Sequence, residues 1–296
     1  MDEFDVKINL TEDFSLQKTV ECGQAFRWRR SGKGYWCVIE GRGVLIEQEG
    51  KELKARFYPP FSGGKKMLKE LFRLGDDFNL IMREISRDRH IAEMVSLHRG
   101  LRLMRQDPWE CLVSYLCSIN SNIPRISNDV EKICLRYGER VDYDGVSFYT
   151  FPDPGRLSKA GIDGLRRLGL GFRARYIDAA ARAVRDGFQI CELRKMSYEH
   201  AMEELMQLDG VGPKVADCVL LFSLDKLNAF PVDRWVKRGM EKLYFNGEKR
   251  SEKALREWAA EYFGEFAGYA QQYLFHQSRT VMNQSASGAS DKLSQL

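Results

Sequence analysis

Two side chains could do chemistry by their type and placement. Lys214 directly follows Gly210-Val211-Gly212-Pro213, and Asp233 comes later in Pro231-Val232-Asp233. Two glycines and a proline within four positions specify a tight turn and then a helix start, because glycine tolerates positive φ and proline suits the first helical turn. Amides at such a turn point outward and favour a phosphate. A lysine in the first turn of a helix meets a field that disfavours a cation, and partial burial acts in the same direction. Both favour the neutral amine, which can attack an electrophilic carbon and form a Schiff base. The ordinary readings are a solvated surface lysine and an aspartate that merely caps a helix. Only the pairing lifts either residue above them.

The elements that must position this pair are readable on both sides. Ala201, Met202, Leu205, Met206 and Leu208 recur at helical spacing before the turn. Val215, Val219, Leu220 and Phe222 do so after it. The expected unit is helix, hairpin, helix. Cys218 lies one helical turn beyond Lys214 and shares its face.

Composition narrows the class. The chain has 296 residues, a net charge of +4 and seven cysteines. It is long enough for one large or two modest domains. Mild basicity does not establish a nucleic-acid partner. Arg166, Arg167, Arg173 and Arg175 cluster without an acid between Gly164 and Ile177, a pattern that commonly marks a solvated helix face. The cysteines are odd in number, irregularly spaced and mostly in apolar stretches, which reads as reduced core residues. No Cys-x-x-Cys occurs and no cysteine follows Cys218, which excludes a C-terminal thiolate cluster. The acidic start lacks a signal-like apolar run and no stretch approaches membrane-spanning length, so a prokaryotic cytoplasm is expected ahead of a nucleus.

Along the chain, the first sixty residues read as β-structure. Residues 4–10 alternate apolar and polar, and strands are expected over 25–30, 35–40, 44–48 and 53–58, separated by glycine turns. Helical patterns follow from Lys65. Asp107-Pro108 is a helix start leading into a nearly all-apolar segment. The expectation is an α+β chain: an antiparallel sheet domain over residues 1–100, an all-helical domain over 101–284 and a disordered polar tail over 285–296.

Several stretches together resemble one family. The hairpin Leu208-Asp209-Gly210-Val211-Gly212-Pro213-Lys214 with Pro231-Val232-Asp233 resembles the helix-hairpin-helix Gly/Pro-Asp DNA glycosylases. Cys22-Gly23-Gln24-Ala25-Phe26-Arg27-Trp28, Asp107-Pro108-Trp109-Glu110, Cys117-Ser118-Ile119-Asn120-Ser121-Asn122, Leu168-Gly169-Leu170-Gly171-Phe172-Arg173 and Gln271-Gln272-Tyr273-Leu274-Phe275 resemble its 8-oxoguanine DNA glycosylase/lyase branch of the eukaryotic type. The resemblance spans residues 22 to 275.

It implies a bifunctional enzyme that excises 8-oxoguanine from duplex DNA after flipping the nucleotide out of the helix. Lys214 would attack C1′ and Asp233 would stabilise charge at the sugar. The Gly23 carbonyl, Gln271, Phe275 and Cys218 would hold the base. Asn120 would fill the gap, Arg125 would read an opposite cytosine, and Phe172 and Arg173 would act on the opposite strand. Gly210, Val211 and Gly212 would grip phosphate, and Trp235 would also contact the DNA. The Met206, Leu208 and Val211 carbonyls would offer a structural metal cation a site. No redox or organic cofactor is implied, and a monomer is expected. Asp209, Trp235, Pro124 and Phe172 depart from the family pattern. The alternatives are a monofunctional glycosylase for another damaged base and a non-enzymatic hairpin module that only binds DNA.

Overall fold

The computed structural model describes residues 4–293, with side chains described through Thr280. Five antiparallel strands form the N-terminal sheet: β1 Val6–Asn9, β2 Arg29–Ser31, β3 Gly34–Ile39, β4 Arg42–Glu49 and β5 Glu52–Tyr58. Their order is β1-β5-β4-β3-β2, so the first strand closes onto the last. Period-two alternation makes this possible. Leu53, Ala55 and Phe57 all point inward from β5, opposite Ile8 and Val6 of β1.

Two readings of this region need correction. Leu16–Glu21 is a helix, α1, within the stretch read as β-structure. Its signal is Ser15, whose hydroxyl accepts from Lys18 N as an N-cap. The strand expected at 25–30 shrinks to Arg29–Ser31, because the preceding residues fold into the junction with the helical domain. There Arg27 pairs with Glu110 at 3.0 Å and donates to the Tyr149 carbonyl at 2.6 Å.

The remaining helices are α2 Gly64–Leu71, α3 Phe78–Ile85, α4 Arg89–Leu97, α5 Pro108–Cys117, α6 Ile123–Tyr137, α7 Pro154–Arg167, α8 Arg173–Arg185, α9 Tyr198–Met206, α10 Pro213–Ser223, α11 Arg234–Tyr244, α12 Glu252–Phe263 and α13 Ala267–Leu293. A second small hairpin, β6 Arg140–Tyr143 with β7 Val146–Tyr149, interrupts them. Its turn is Asp144-Gly145, both at positive φ, the strongest short-range hairpin signal in a sequence. The tail expected to be disordered from Ser285 carries the backbone of α13 as far as Leu293. A nucleated helix gains one hydrogen bond per added residue, even through a polar segment. Residues 294–296 lie outside the described residues.

Two cores result. One sits under the sheet, where Val6, Ile8, Leu53 and Phe57 meet Leu16, Val20, Leu68 and Phe72. The larger is helical and centres on α5, which starts at Asp107 as expected, with its Oδ1 accepting from Glu110 N at 2.8 Å. Leu112 and Leu116 are wholly buried there, each contributing about 2 kcal/mol. Helix α10 packs along α5, and this contact fixes the position of Lys214.

Candidate active site

Lys214 lies in the first turn of α10 and is half-buried. Its ammonium donates to Ser118 Oγ at 3.0 Å and sits 5.1 Å above the centre of the Tyr115 ring. Both partners belong to the C-terminal end of α5. Cys218 is buried, and burial pushes its thiol up to about 12, against the pull of the Lys214 charge. The thiol is therefore neutral and presents a soft, apolar face.

Asp233 caps α11. Its Oδ1 accepts from Trp235 N and Val236 N, both at 2.9 Å, so the capping reading holds in full. It does not exclude a second role. Burial raises the carboxyl above its ordinary range, while the two amides and the charge of Lys214 act to lower it. Among the described residues Lys214 and Asp233 share no ion contact. They stand at the starts of two helices, close enough for the lysine's charge to act on the carboxyl.

The remaining base-holding candidates come from two further segments, the Gly23 turn and α13. Gln271 is 4% exposed on α13, and its Nε2 donates to the Pro231 carbonyl at 3.0 Å. That bond fixes the amide orientation, since a carbonyl can only accept. The Gln271 Oε1 is then buried without a partner. One turn on, Phe275 lies beside Gly23: a Cβ built on Gly23 would sit 3.3 Å from Phe275 Cε1. Gly23 has φ +91°. The carbonyls on both sides of it are engaged, Cys22 by Gln272 Nε2 at 3.4 Å and Gln24 by Gln106 Nε2 at 2.8 Å and Tyr115 Oη at 3.1 Å. The Gly23 carbonyl accepts no hydrogen bond among the described residues. The Gln24 side chain locks this turn, donating to Thr19 and Arg102 carbonyls and accepting from Met104 N. On its sheet side the turn borders a cavity of about 210 Å³ with Trp28, Tyr35 and Ile123.

The surface candidates divide. Asn120 is exposed at φ +49°, and its side chain has no partner among the described residues. Arg125 is exposed beside it, 3.8 Å from Asp129. Phe172 is 49% exposed and edge-on to Tyr176. Trp235 is half-buried under the Arg234 guanidinium. Arg173 is not at the surface. It is 3% exposed, and it donates to the Ile119 carbonyl at 2.7 Å and the Asn120 carbonyl at 2.8 Å. Its guanidinium holds the Asn120 loop.

At the hairpin, Gly210 has φ +84°, and a Cβ there would overlap the Tyr176 ring at 2.3 Å. Gly212 caps α10 and faces open space. The Met206 and Val211 carbonyls accept nothing among the described residues, and Leu208 accepts only Val211 N at 3.0 Å. Free carbonyls of this kind suit a hard cation, so the donors present fit a structural metal. Asp209 lies 3.2 Å from Arg175, which offsets the acid within the hairpin. Sequence reasoning missed Ser118, Tyr115 and Gln24 as site-builders. Their one signal is that all three are polar-tipped side chains in or beside apolar runs.

A helical domain thus presents a lysine from a glycine hairpin, and the sheet domain brings the Gly23 turn against Phe275. The model of the HhH-GPD superfamily of base excision DNA repair proteins matches residues 113–264, and that of the 8-oxoguanine DNA glycosylase N-terminal domain matches residues 6–112. The chain belongs to the HhH-GPD superfamily, in its 8-oxoguanine DNA glycosylase branch. It is 31% identical over 310 residues to a probable N-glycosylase/DNA lyase of Methanothermobacter thermautotrophicus, covering 96% of this chain and 97% of that one. It is similar to the structure of MBOgg1 in complex with a low-affinity DNA ligand, with TM-score 0.90, 34% identity, and 95% and 98% of the two chains covered. It is likewise similar to the 8-oxoguanine glycosylase/lyase of Clostridium acetobutylicum bound to duplex DNA with cytosine opposite 8-oxoG. That match has TM-score 0.86 and 32% identity and covers 94% of this chain and 99% of the other. Among the described residues no helix is long and apolar enough to cross a membrane.

Proposed function

We propose that this protein is a bifunctional DNA glycosylase/lyase that removes 8-oxoguanine from duplex DNA. The observation that carries the reading is the orphaned, buried acceptor of Gln271, whose amide is held on the Pro231 carbonyl two residues before Asp233. A buried amide oxygen without a donor costs about 1–3 kcal/mol, which a ligand bringing an N–H would relieve. The Watson–Crick edge of 8-oxoguanine brings such donors. Its N7 carries a hydrogen where guanine carries a lone pair, and the free carbonyl of Gly23 accepts from the first and repels the second. Phe275 and the neutral Cys218 thiol cover the two faces.

In the reaction Lys214, once its ammonium has given up a proton to solvent, donates its lone pair to C1′. The glycosidic bond breaks and its electron pair leaves with the base. Asp233 stabilises the positive charge that develops at the sugar. Loss of a proton and ring opening give the C1′ Schiff base. Proton removal from C2′ then expels the 3′-phosphate and cuts the strand. Gly210, Val211 and Gly212 grip the backbone, Asn120 fills the vacated stack, Arg125 meets the opposite cytosine and Phe172 wedges the far strand. Trp235 borders the DNA beside Asp233. The Met206, Leu208 and Val211 carbonyls would hold a cation against a phosphate. The enzyme works as a monomer wherever the cell keeps its DNA.

The test is release of free 8-oxoguanine with strand cleavage from a duplex carrying the lesion opposite cytosine. Base release from an uncut strand would identify a monofunctional enzyme. Binding without either product would identify a DNA-binding module.

A further inference from the structure

Ser118 is bonded to the lysine itself, and its hydrogen-bond directions are fixed. Its Oγ receives the Lys214 ammonium at 3.0 Å and donates to the Tyr115 carbonyl at 2.6 Å. A hydroxyl has one hydrogen, and here it is engaged by a carbonyl. Ser118 can therefore only accept from Lys214. We propose that Ser118 is a positioning residue for Lys214, tethering one N–H of the amine so that its lone pair is directed away from Ser118 and left free to attack. The inference rests on the assignment of Lys214 as the nucleophile.

A neutral primary amine has two N–H bonds and one lone pair. With one N–H held at Ser118, the lone pair cannot point there, and the flexible four-carbon stem loses most of its freedom to wander. Ser118 does not act as a base. The carbonyl that receives its hydrogen has no capacity to take a proton onward, so no relay leads away from the lysine by this route. The tether is itself rigid. Tyr115 stacks on Phe222 at 5.6 Å and 9° between planes, and its hydroxyl donates to the Gln24 carbonyl at 3.1 Å. The next two carbonyls, of Ile119 and Asn120, are clamped by the buried Arg173. One short turn thus sets the amine, links to the Gly23 turn and carries the exposed Asn120.

Ser118→Ala and Ser118→Thr test this against the unmodified protein. The readouts are the single-turnover rate of borohydride-trapped adduct formation at saturating enzyme, and equilibrium affinity for an undamaged duplex. Loss of the tether should slow trapping in Ser118→Ala about tenfold, with duplex affinity within about twofold of wild type. Ser118→Thr keeps the hydroxyl and should recover the rate to within about threefold. An unchanged rate in Ser118→Ala overturns the proposal, and so does a threonine variant as slow as the alanine one. A rate loss matched by an equal affinity loss also overturns it, by showing a role in DNA binding. If wild type itself gives no adduct, the Lys214 assignment fails, which the other arms keep distinguishable.

Discussion

Replacing Gly23 by alanine puts a methyl group against Ile123, Arg279 and Phe275, at the turn proposed to read the base. The built Cβ lies 2.6 Å from Ile123 Cδ1, 3.0 Å from Arg279 Nη1 and 3.3 Å from Phe275 Cε1. Carbon atoms pack at about 3.5–4.0 Å, so the turn or Ile123 must shift by about 1 Å. The backbone cannot absorb this by rotating, because φ is +91° and an L side chain in the left-handed region already costs about 1–2 kcal/mol. The Gln24 network holds the turn on its other side. The part of the shift that the Ile123 side chain does not take up falls on the free Gly23 carbonyl and on Phe275. A misplacement of about 1 Å costs on the order of 10²-fold in rate. The hairpin around Gly210 and Gly212 is untouched. The assay pairs single-turnover release of 8-oxoguanine with affinity for undamaged duplex, and a thermal melt serves as a folding control. Base release should fall about 10²-fold while undamaged-DNA affinity stays within about twofold. Equal losses in both would refute the carbonyl-reader role, as would unchanged base release in a folded variant.

Asp233→Asn keeps a side-chain oxygen for the Trp235 and Val236 amides, and asparagine caps helices as well as aspartate does. It removes only the charge, so chemistry should slow by about 10²–10³-fold with duplex binding and melting temperature nearly unchanged; a collapse of binding would leave capping as its sole role. Asp217 is fully buried, accepts from Tyr198 Oη at 2.7 Å and lies 2.9 Å from Arg256 Nε in an ion contact without hydrogen-bond alignment. Burial raises its carboxyl from 3.8 to about 6. The folded value is the higher one, so the associated stability is full below pH 3.8 and lost as pH rises through about 6. The shift corresponds to about 3 kcal/mol. Urea-unfolding free energy of wild type minus that of Asp217→Asn should decline across this window, and a flat or rising difference would contradict it.

Much of this molecule was legible because its signals are local. Alternation in Phe4–Leu10 and Leu53–Tyr58 marked strands β1 and β5, and Asp107-Pro108 marked α5. The Gly210–Pro213 turn placed Lys214 at a helix start. What escaped depends on contacts between distant segments. The side chain of Arg173 looks like a surface cation in sequence, and only the α5–α8 packing reveals the two carbonyls that bury it. Ser118 lies 96 positions from Lys214, and nothing near either residue announces their bond. Helix α1 and the β6–β7 hairpin were different. Ser15 and Asp144-Gly145 are local signals, outweighed in the reading by the surrounding β-pattern and helical pattern respectively.

The nucleophilic role of Lys214 is tested most directly by borohydride trapping on a duplex with 8-oxoguanine opposite cytosine. Borohydride reduces the Schiff base to a stable amine and leaves protein joined to DNA. The unmodified protein should give the covalent adduct. Lys214→Gln should give none while still binding the duplex, because the hairpin that grips the backbone is intact. An adduct from Lys214→Gln at the wild-type rate, or none from the unmodified protein, would contradict the assignment.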